Sequence, residues 1–506
     1  MDFRKEDFGE DFAWGVSSAA FQIEGAYNLH GKGSSIWDEF TERKGKIRAG
    51  DHAKISCDFY HKFPQDLALM RSMNIRNYRF SISWSRIFST GTGSVNRSGI
   101  DYYNRLIDFC LELEIEPWIT LYHWDLPLEL ESKGGWANRE MLNWFEHYAS
   151  FCIATFGDRV KHWMVLNEPM VFTGAGYFLG IHAPGKKSPE LFFAALHHAT
   201  LCQAMGAEII RSVKSDAKIG STFSCSAIEP LTETEADMAA AGRINTLLNR
   251  LFIEPLLGLG YPVQDLKVLQ RLEPYIKDGD EQKLAFKMDF IGLQNYTREI
   301  VTHSWLTPYL QAKIVKADER MVDRTAMNWE VYPPAIYRML QQYGSYKNIP
   351  PIIVTENGAA FDDVLQDGVV DDAKRKKFLQ EYILEVLKAR KSGVNIKGYF
   401  AWTFTDNFEW AEGYHPRFGI VHVDFATQKR TIKSSGLWYK KFLAGQTVTP
   451  HSSPDLFIDV ARASSPARRK ECVRTWRSTL QWRTWRSTLQ KHGIGSFFNI
   501  FAIFKE

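Results

Sequence analysis

The 506-residue chain is short of the features that mark several protein classes. It has six cysteines, at positions 57, 110, 152, 202, 225 and 472, none closer than 23 residues to the next. That spacing holds no CxxC pair, so neither a disulfide framework nor a zinc ribbon is indicated, and the thiols read as free core groups of a reducing compartment. No apolar run reaches the length of about 18 residues that a membrane span needs. The opening MDFRKEDFGEDFAWG lacks the apolar segment of a signal peptide. A cytoplasmic location is therefore expected, and the sequons at Asn96 and Asn295 carry no weight. Excess charge of one sign is also missing. Lys and Arg number 62 against 59 Asp and Glu, a balance that excludes a dedicated nucleic-acid binder.

Several motifs are absent too. There is no GxSxG elbow and no HExxH. Gly25–Gly33 fails as a phosphate loop, because five residues separate Gly25 from Gly31 and Gly33 stands where Ser or Thr must follow Lys32. His197 and His198 would point about 100° apart on a helix, so they cannot grip one ion together; one is expected in the core and the other at the surface. No metal and no cofactor are indicated.

What the chain has is aromatic content, 14% with 16 Trp, and a rhythm. Short apolar runs alternate with longer amphipathic stretches. The candidate strands are Phe12–Ala20, Asn77–Trp84, Glu116–Trp124, His162–Glu168, Lys218–Ser224, Phe290–Tyr296, Pro351–Glu356 and Ile396–Phe404. Runs such as Trp163-Met164-Val165-Leu166 and Ile352-Ile353-Val354 suit parallel strands covered on both faces. Tyr102–Leu113, Arg139–Phe156 and Ala373–Lys391 read as the intervening helices. Eight such units predict an α/β fold, a (β/α)8 TIM barrel forming one catalytic domain over residues 1–445. A doubly wound open sheet competes, but it calls for a GxGxxG loop after the first strand, and none is there. Residues 446–506 differ in texture: ten Lys/Arg against four Asp/Glu, with RTWRSTLQ repeated at 474–481 and 483–490. Two copies do not build a solenoid, and this basic tail reads as a poorly ordered appendage.

Active sites of such barrels lie at the C-terminal strand ends. Those ends supply His123-Trp124-Asp125, Asn167-Glu168-Pro169, Asn295-Tyr296, Glu356-Asn357 and Asp406 through Trp410. Carboxylates, amides, an imidazole and indoles line the mouth, without a Cys or Ser nucleophile. Strands 4 and 7 stand nearly opposite each other in an eight-strand ring, so Glu168 and Glu356 can face each other, a pairing suited to glycoside hydrolysis. Pro169 disfavours the helical region for the residue before it, and Glu168 is therefore expected to be extended. Spacing alone leaves Asp125, Asp406 and Glu409 open as alternative members of the pair.

From about Phe8 to Gly445 the chain resembles glycoside hydrolase family 1, the β-glucosidase family. The motifs that carry the resemblance are FAWGVSSAAFQIEG, YRFSISWSRI, LYHWDLP, LNEP, GLQNYT, WEVYP, VTENG and AWTFTDNFEWAEGYHPRFGIVHVDF. The resemblance implies a retaining mechanism with Glu168 as acid/base, Glu356 as nucleophile, and Arg79 and Tyr296 supporting Glu356. It further implies that Gln22, His123, Asn167 and Glu409 hydrogen-bond the terminal sugar, that Trp124, Asn295, Trp402, Trp410 and Phe418 surround it, and that Trp329 forms a platform on the aglycone side. The family's 6-phospho-glycosidases carry a Ser and cationic groups where Glu409, Pro416 and Phe418 stand here, so an unphosphorylated β-glycoside is the expected substrate. A transglycosylase using the same residues and a non-catalytic glycan- or protein-binding scaffold are the alternatives. Asn74 and residues 89–92 depart from the family's usual Gly- and Pro-containing pattern.

Overall fold

The computed structural model describes residues 3–446; the tail with its RTWRSTLQ repeat lies outside the described residues, apart from Gln446. Eight parallel strands close into a barrel: β1 (Ala13–Ser17), β2 (Asn77–Ser81), β3 (Glu116–Tyr122), β4 (His162–Asn167), β5 (Lys218–Ser224), β6 (Phe290–Gln294), β7 (Ile352–Asn357) and β8 (Ile396–Trp402). Each is paired with its sequence neighbours, and β8 closes on β1 from Ala13↔Gly398 to Ser17↔Trp402. All eight predicted strands are present, most of them trimmed at their C-terminal ends where the chain turns into the mouth.

Helices pack outside the barrel. The helix Arg97–Glu112 buries Tyr102, Tyr103, Leu106, Ile107 and Cys110, residues spaced to form one stripe. Two small sheets are added: Ala227–Pro230 with Arg298–His303 and Ala312–Val315, and the hairpin Val421–Asp424 with Lys429–Ile432. Among the described residues no helix is long and apolar enough to cross a membrane.

Inside the barrel, Trp118, Met164, Phe290, Ile353 and Phe400 meet as a separate apolar cluster. Their side chains come from five different strands, so they mark the inward face of each. Strict alternation from Met164 and Ile353 would turn Asn167 and Glu356 outward, because each lies an odd number of residues further on. Both strands break register just there. The β4–β5 pairing shifts between Met164 and Asn167, and the β6–β7 pairing shifts between Val354 and Glu356. Each irregularity changes the parity and re-aims the last residues of the strand into the mouth.

One local expectation fails. His197 and His198 are both buried, because the long helix Pro189–Val213 is covered on nearly every side. His197 bonds Asp280 and the Tyr261 hydroxyl, and His198 meets the Trp136 carbonyl at 2.9 Å. Asn74 occupies a left-handed position (φ 62°), which Asn tolerates better than most residues, so its departure from the family's pattern is conformationally mild.

Gly358, directly after β7, packs against the end of β8, where a Cβ would stand 1.8 Å from the Trp402 carbonyl oxygen. Gly358→Ala must therefore push the end of β7 off its neighbour, at a cost of about 1–3 kcal/mol. A lowered urea midpoint is expected; an unchanged one would contradict this packing.

Candidate active site

Arg79, inward on β2, is the hub of the mouth. It is 1% exposed and donates to Glu356 through one terminal nitrogen, to Asn167 Oδ1 at 2.6 Å through the other, and to Thr120 Oγ1 at 3.1 Å through Nε. Tyr296 OH donates to the second oxygen of Glu356 at 2.6 Å. The Glu356 carboxylate is thus held at both oxygens. Asn167 Oδ1 also accepts from Thr222 and Gln294, each at 2.9 Å. Its Nδ2 must then be the atom 3.0 Å from His123 Nε2. That assignment makes Nε2 an acceptor and leaves the imidazole proton on Nδ1, where no protein partner meets it. Burial and the Arg79 charge press His123 well below the usual histidine range, so the ring is neutral.

Glu168 follows β4 directly. Its backbone is left-handed (φ 46°, ψ 65°), not extended as the sequence led us to expect. Glu168 N still donates to Thr222 O at 2.9 Å, while Val171 N already donates to Glu168 O at 2.8 Å. One residue closes a strand and opens a helix. With right-handed geometry disfavoured by Pro169, the left-handed region is what turns the chain that sharply.

The two carboxyls differ in environment. Burial pushes both upward. At Glu356 the Arg79 charge and the Tyr296 hydrogen bond oppose that push; at Glu168 the charge of Glu356 adds to it, against weaker relief from Ser224 and Arg79. The pair therefore keeps its charge on Glu356 and its proton on Glu168. Glu409 is pushed up to about 8, by burial and then by Glu356, and accepts from Gln22 Nε2 at 3.3 Å. Gln22 Oε1 is buried and unpaired.

These groups border an open cleft of about 970 Å³, solvent space at its mouth included. Of the residues expected from sequence, His123, Trp124, Glu168, Tyr296, Trp329, Glu356, Trp402, Glu409, Trp410 and Phe418 line it. Arg79, Asn167 and Gln22 stand behind this lining and bond to it. Asn295 stands apart, its Nδ2 taken by the carbonyls of Cys225 and Thr297. Asp125 and Asp406, the other carboxyls open from spacing, do not line the cavity. Asp406 accepts from Arg417 and Lys433 instead, and Asp125 is buried with burial raising it to about 8. Lining residues that sequence reasoning missed include Val171, Ile181, His182, Cys225, Met327 and Glu412. Only Glu412 lay within a recognised motif; Val171 sits in the short helix Pro169–Thr173, and the others come from loops of no fixed pattern. Among the described residues no group of three or more His, Cys, Asp or Glu side chains is arranged to hold a metal ion.

A parallel eight-strand barrel whose mouth holds a proton-carrying carboxyl opposite a clamped carboxylate, amid indoles, is the architecture of a glycoside hydrolase. Comparison with known proteins agrees. The profile of Glycosyl hydrolase family 1 matches residues 4–447. Beta-glucosidase A of Thermotoga maritima is 43% identical over 434 residues, covering 85% of this chain and 96% of its own. The 1,4-beta-D-glucan glucohydrolase of Thermotoga neapolitana is 41% identical, with coverage of 87% and 99%. The solved beta-glucosidase from Thermotoga maritima in complex with deoxynojirimycin superposes with a TM-score of 0.84 at 41% identity, covering 87% of this chain and 98% of that one. The chain belongs to glycosyl hydrolase family 1.

If the charge of Glu356 holds the proton on Glu168, Glu356→Gln must release it. Carboxyl-carbon NMR of that variant is expected to show Glu168 titrating at lower pH than in the wild type. An unmoved titration would mean that burial alone sets it.

Proposed function

We propose that the protein is a retaining β-glucosidase, releasing terminal, unphosphorylated β-linked sugars through a covalent glycosyl-enzyme. The observation that carries this reading is the unequal carboxyl pair: Glu356 clamped by Arg79 and Tyr296, and Glu168 raised beside it. In the first step an oxygen of Glu356 attacks the anomeric carbon while Glu168 gives its proton to the glycosidic oxygen. The bond to the aglycone breaks, the aglycone leaves as an alcohol, and Glu356 becomes an ester. Loss of its charge lets Glu168 ionise. In the second step Glu168 takes a proton from water, the water oxygen attacks the anomeric carbon, and Glu356 departs as carboxylate, so configuration is retained. Gln22, His123 and Glu409 supply donors and acceptors for the sugar hydroxyls, and Trp402 and Trp410 its apolar walls. The cavity lining contains no Lys or Arg, which disfavours a 6-phosphate beside Glu409. The five described cysteines are all free and buried, in keeping with a reducing, cytoplasmic setting.

Glu356→Ala is expected to abolish turnover of nitrophenyl β-glucoside, β-galactoside and β-fucoside. Glu168→Ala is expected to slow substrates with poor leaving groups by about 10²–10⁴-fold and activated phenols far less. Equal losses on both leaving-group types would contradict the roles assigned. The required ionisation states also fix the pH profile. Activity falls on the acid side as Glu356 gains a proton and on the alkaline side as Glu168 loses one.

We also assign catalysis to residues 1–445 alone, with 446–506 as an appendage. Deleting 446–506 should leave kcat/KM for nitrophenyl β-glucoside unchanged; a tenfold fall would place the tail in the working enzyme.

A further inference from the structure

Among the described residues Trp305 is the one exposed tryptophan, at 80%; Leu306 beside it is also 80% exposed, and Tyr309 is 57% exposed. Every other described indole is buried or half-buried, as the gain from removing apolar surface from water requires. A cluster of large apolar side chains kept in water marks a contact surface.

The three residues sit on the tip Ser304–Gln311, which joins the strands Arg298–His303 and Ala312–Val315. Those strands pair antiparallel from Ile300↔Val315 to His303↔Ala312. The tip itself is held firmly. Thr307 Oγ1 donates to the Ala312 carbonyl at 2.8 Å and accepts from Ala312 N at 3.0 Å. Arg243 donates to the carbonyls of Leu310 and Gln311, and the Leu310 side chain is buried. Asp237 Oδ1 accepts from His303 N at 2.7 Å and from Thr302 Oγ1 at 2.9 Å. The His303 ring stands at 82° to the Trp305 ring, centroids 4.5 Å apart, which steadies the indole and covers at most one of its faces. A partner meeting this tip therefore has little to immobilise.

Charge and position narrow the partner. Residues 303–311 contain no Asp, Glu, Lys or Arg. Lys313, just beyond, pairs with Glu319 at 3.3 Å. Anionic polymers and anionic headgroups thus find no free cation on the tip. The hairpin also starts at the mouth: Tyr296 and Thr297 line the cleft and lead directly into Arg298–His303. At about 3.3 Å per residue, that strand carries the tip roughly 20 Å away from the cleft wall.

Resting on the β-glucosidase reading above, we infer that the tip Ser304–Gln311 is a docking platform for an uncharged β-linked glucan chain, separate from the cleft. The ring hydroxyls of a β-linked glucose lie around its rim, so each face is a flat patch of C–H groups that stacks on an indole while the hydroxyls stay in water. Leu306 and Tyr309 extend the apolar floor on the same tip.

The test is native electrophoresis of the full-length Glu356→Ala protein, which cannot consume the polymer, through gels containing soluble mixed-linkage β-glucan. Retardation relative to a glucan-free gel gives the Kd. Trp305→Ala added to that background is expected to weaken binding at least tenfold, since roughly half of an indole leaves water on stacking. Trp305→Tyr keeps a flat ring and should recover part of the loss. No retardation of the parent protein overturns the inference. Equal retardation after Trp305→Ala also overturns it, because the polymer then binds elsewhere. Two other Trp305-dependent results, seen without glucan binding, overturn it as well: cosedimentation with phosphatidylcholine vesicles makes the tip a lipid contact, and self-association in sedimentation velocity makes it an interface between copies. Nitrophenyl β-glucoside keeps the two readings apart. In the protein with Glu356 intact, Trp305→Ala should leave its kcat/KM unchanged, and a tenfold fall would contradict a site separate from the cleft. Turnover without glucan retention sinks the platform alone; Trp305-dependent retention without turnover of any glucoside sinks the glucosidase reading alone.

Discussion

The ion pair between Arg79 and Glu356 is the constraint from which the rest of the mouth follows. A guanidinium 1% exposed and a carboxylate 3% exposed cannot sit at the head of a barrel unless nearly every donor and acceptor is met. Glu356 spends both oxygens, on Arg79 and Tyr296. Arg79 spends its remaining donors on Asn167 and Thr120. Asn167, pinned by three donors at its oxygen, then fixes the tautomer of His123. Six strands, β2 to β7, are thereby joined through one polar network, or through residues directly after their ends. Removing Arg79 would strand a buried carboxylate, a loss of about 3–5 kcal/mol, and would free Asn167 and His123 to turn.

Much of this was legible in the sequence because it depends on runs and motifs. Eight apolar segments ending in polar residues gave the barrel, and the NEP and TENG elements gave Glu168 and Glu356. What escaped has physical causes. Alternation along β4 and β7 predicts the wrong face for Asn167 and Glu356, and the irregularities that correct it leave no signature in residue type. The proline after Glu168 excluded one backbone region but did not choose between the two that remained. His197 and His198 were misjudged because a 25-residue helix at the surface of a barrel was assumed to have an exposed side, whereas Pro189–Val213 is buried on most of its length. The rest of the cavity lining escaped because most of it, Ile181, His182, Cys225 and Met327, sits on loops, where position is set by tertiary packing.

Four carboxyls around one cavity, with Arg79 as the nearest fixed cation, make a poor environment for a neutral sugar at rest. Burial raises Glu168, Glu356, Glu409 and Glu412 alike, and the charge of Glu356 adds to it at Glu168 and Glu409, so each ionisation there is held against an opposing force. The same arrangement becomes favourable only as positive charge develops on the anomeric carbon and ring oxygen in an oxocarbenium-like transition state. The negative charge held on Glu356 in the buried cavity then attracts what it could not attract in the ground state, without any dipole having to reorient. Because the gain is confined to the transition state, it raises kcat and leaves substrate affinity to the uncharged contacts of the cavity lining. The uncharged part of the lining, Val171, Ile181, Met327 and Trp329 among it, can therefore change which glycoside is bound without disturbing the charges that cleave it.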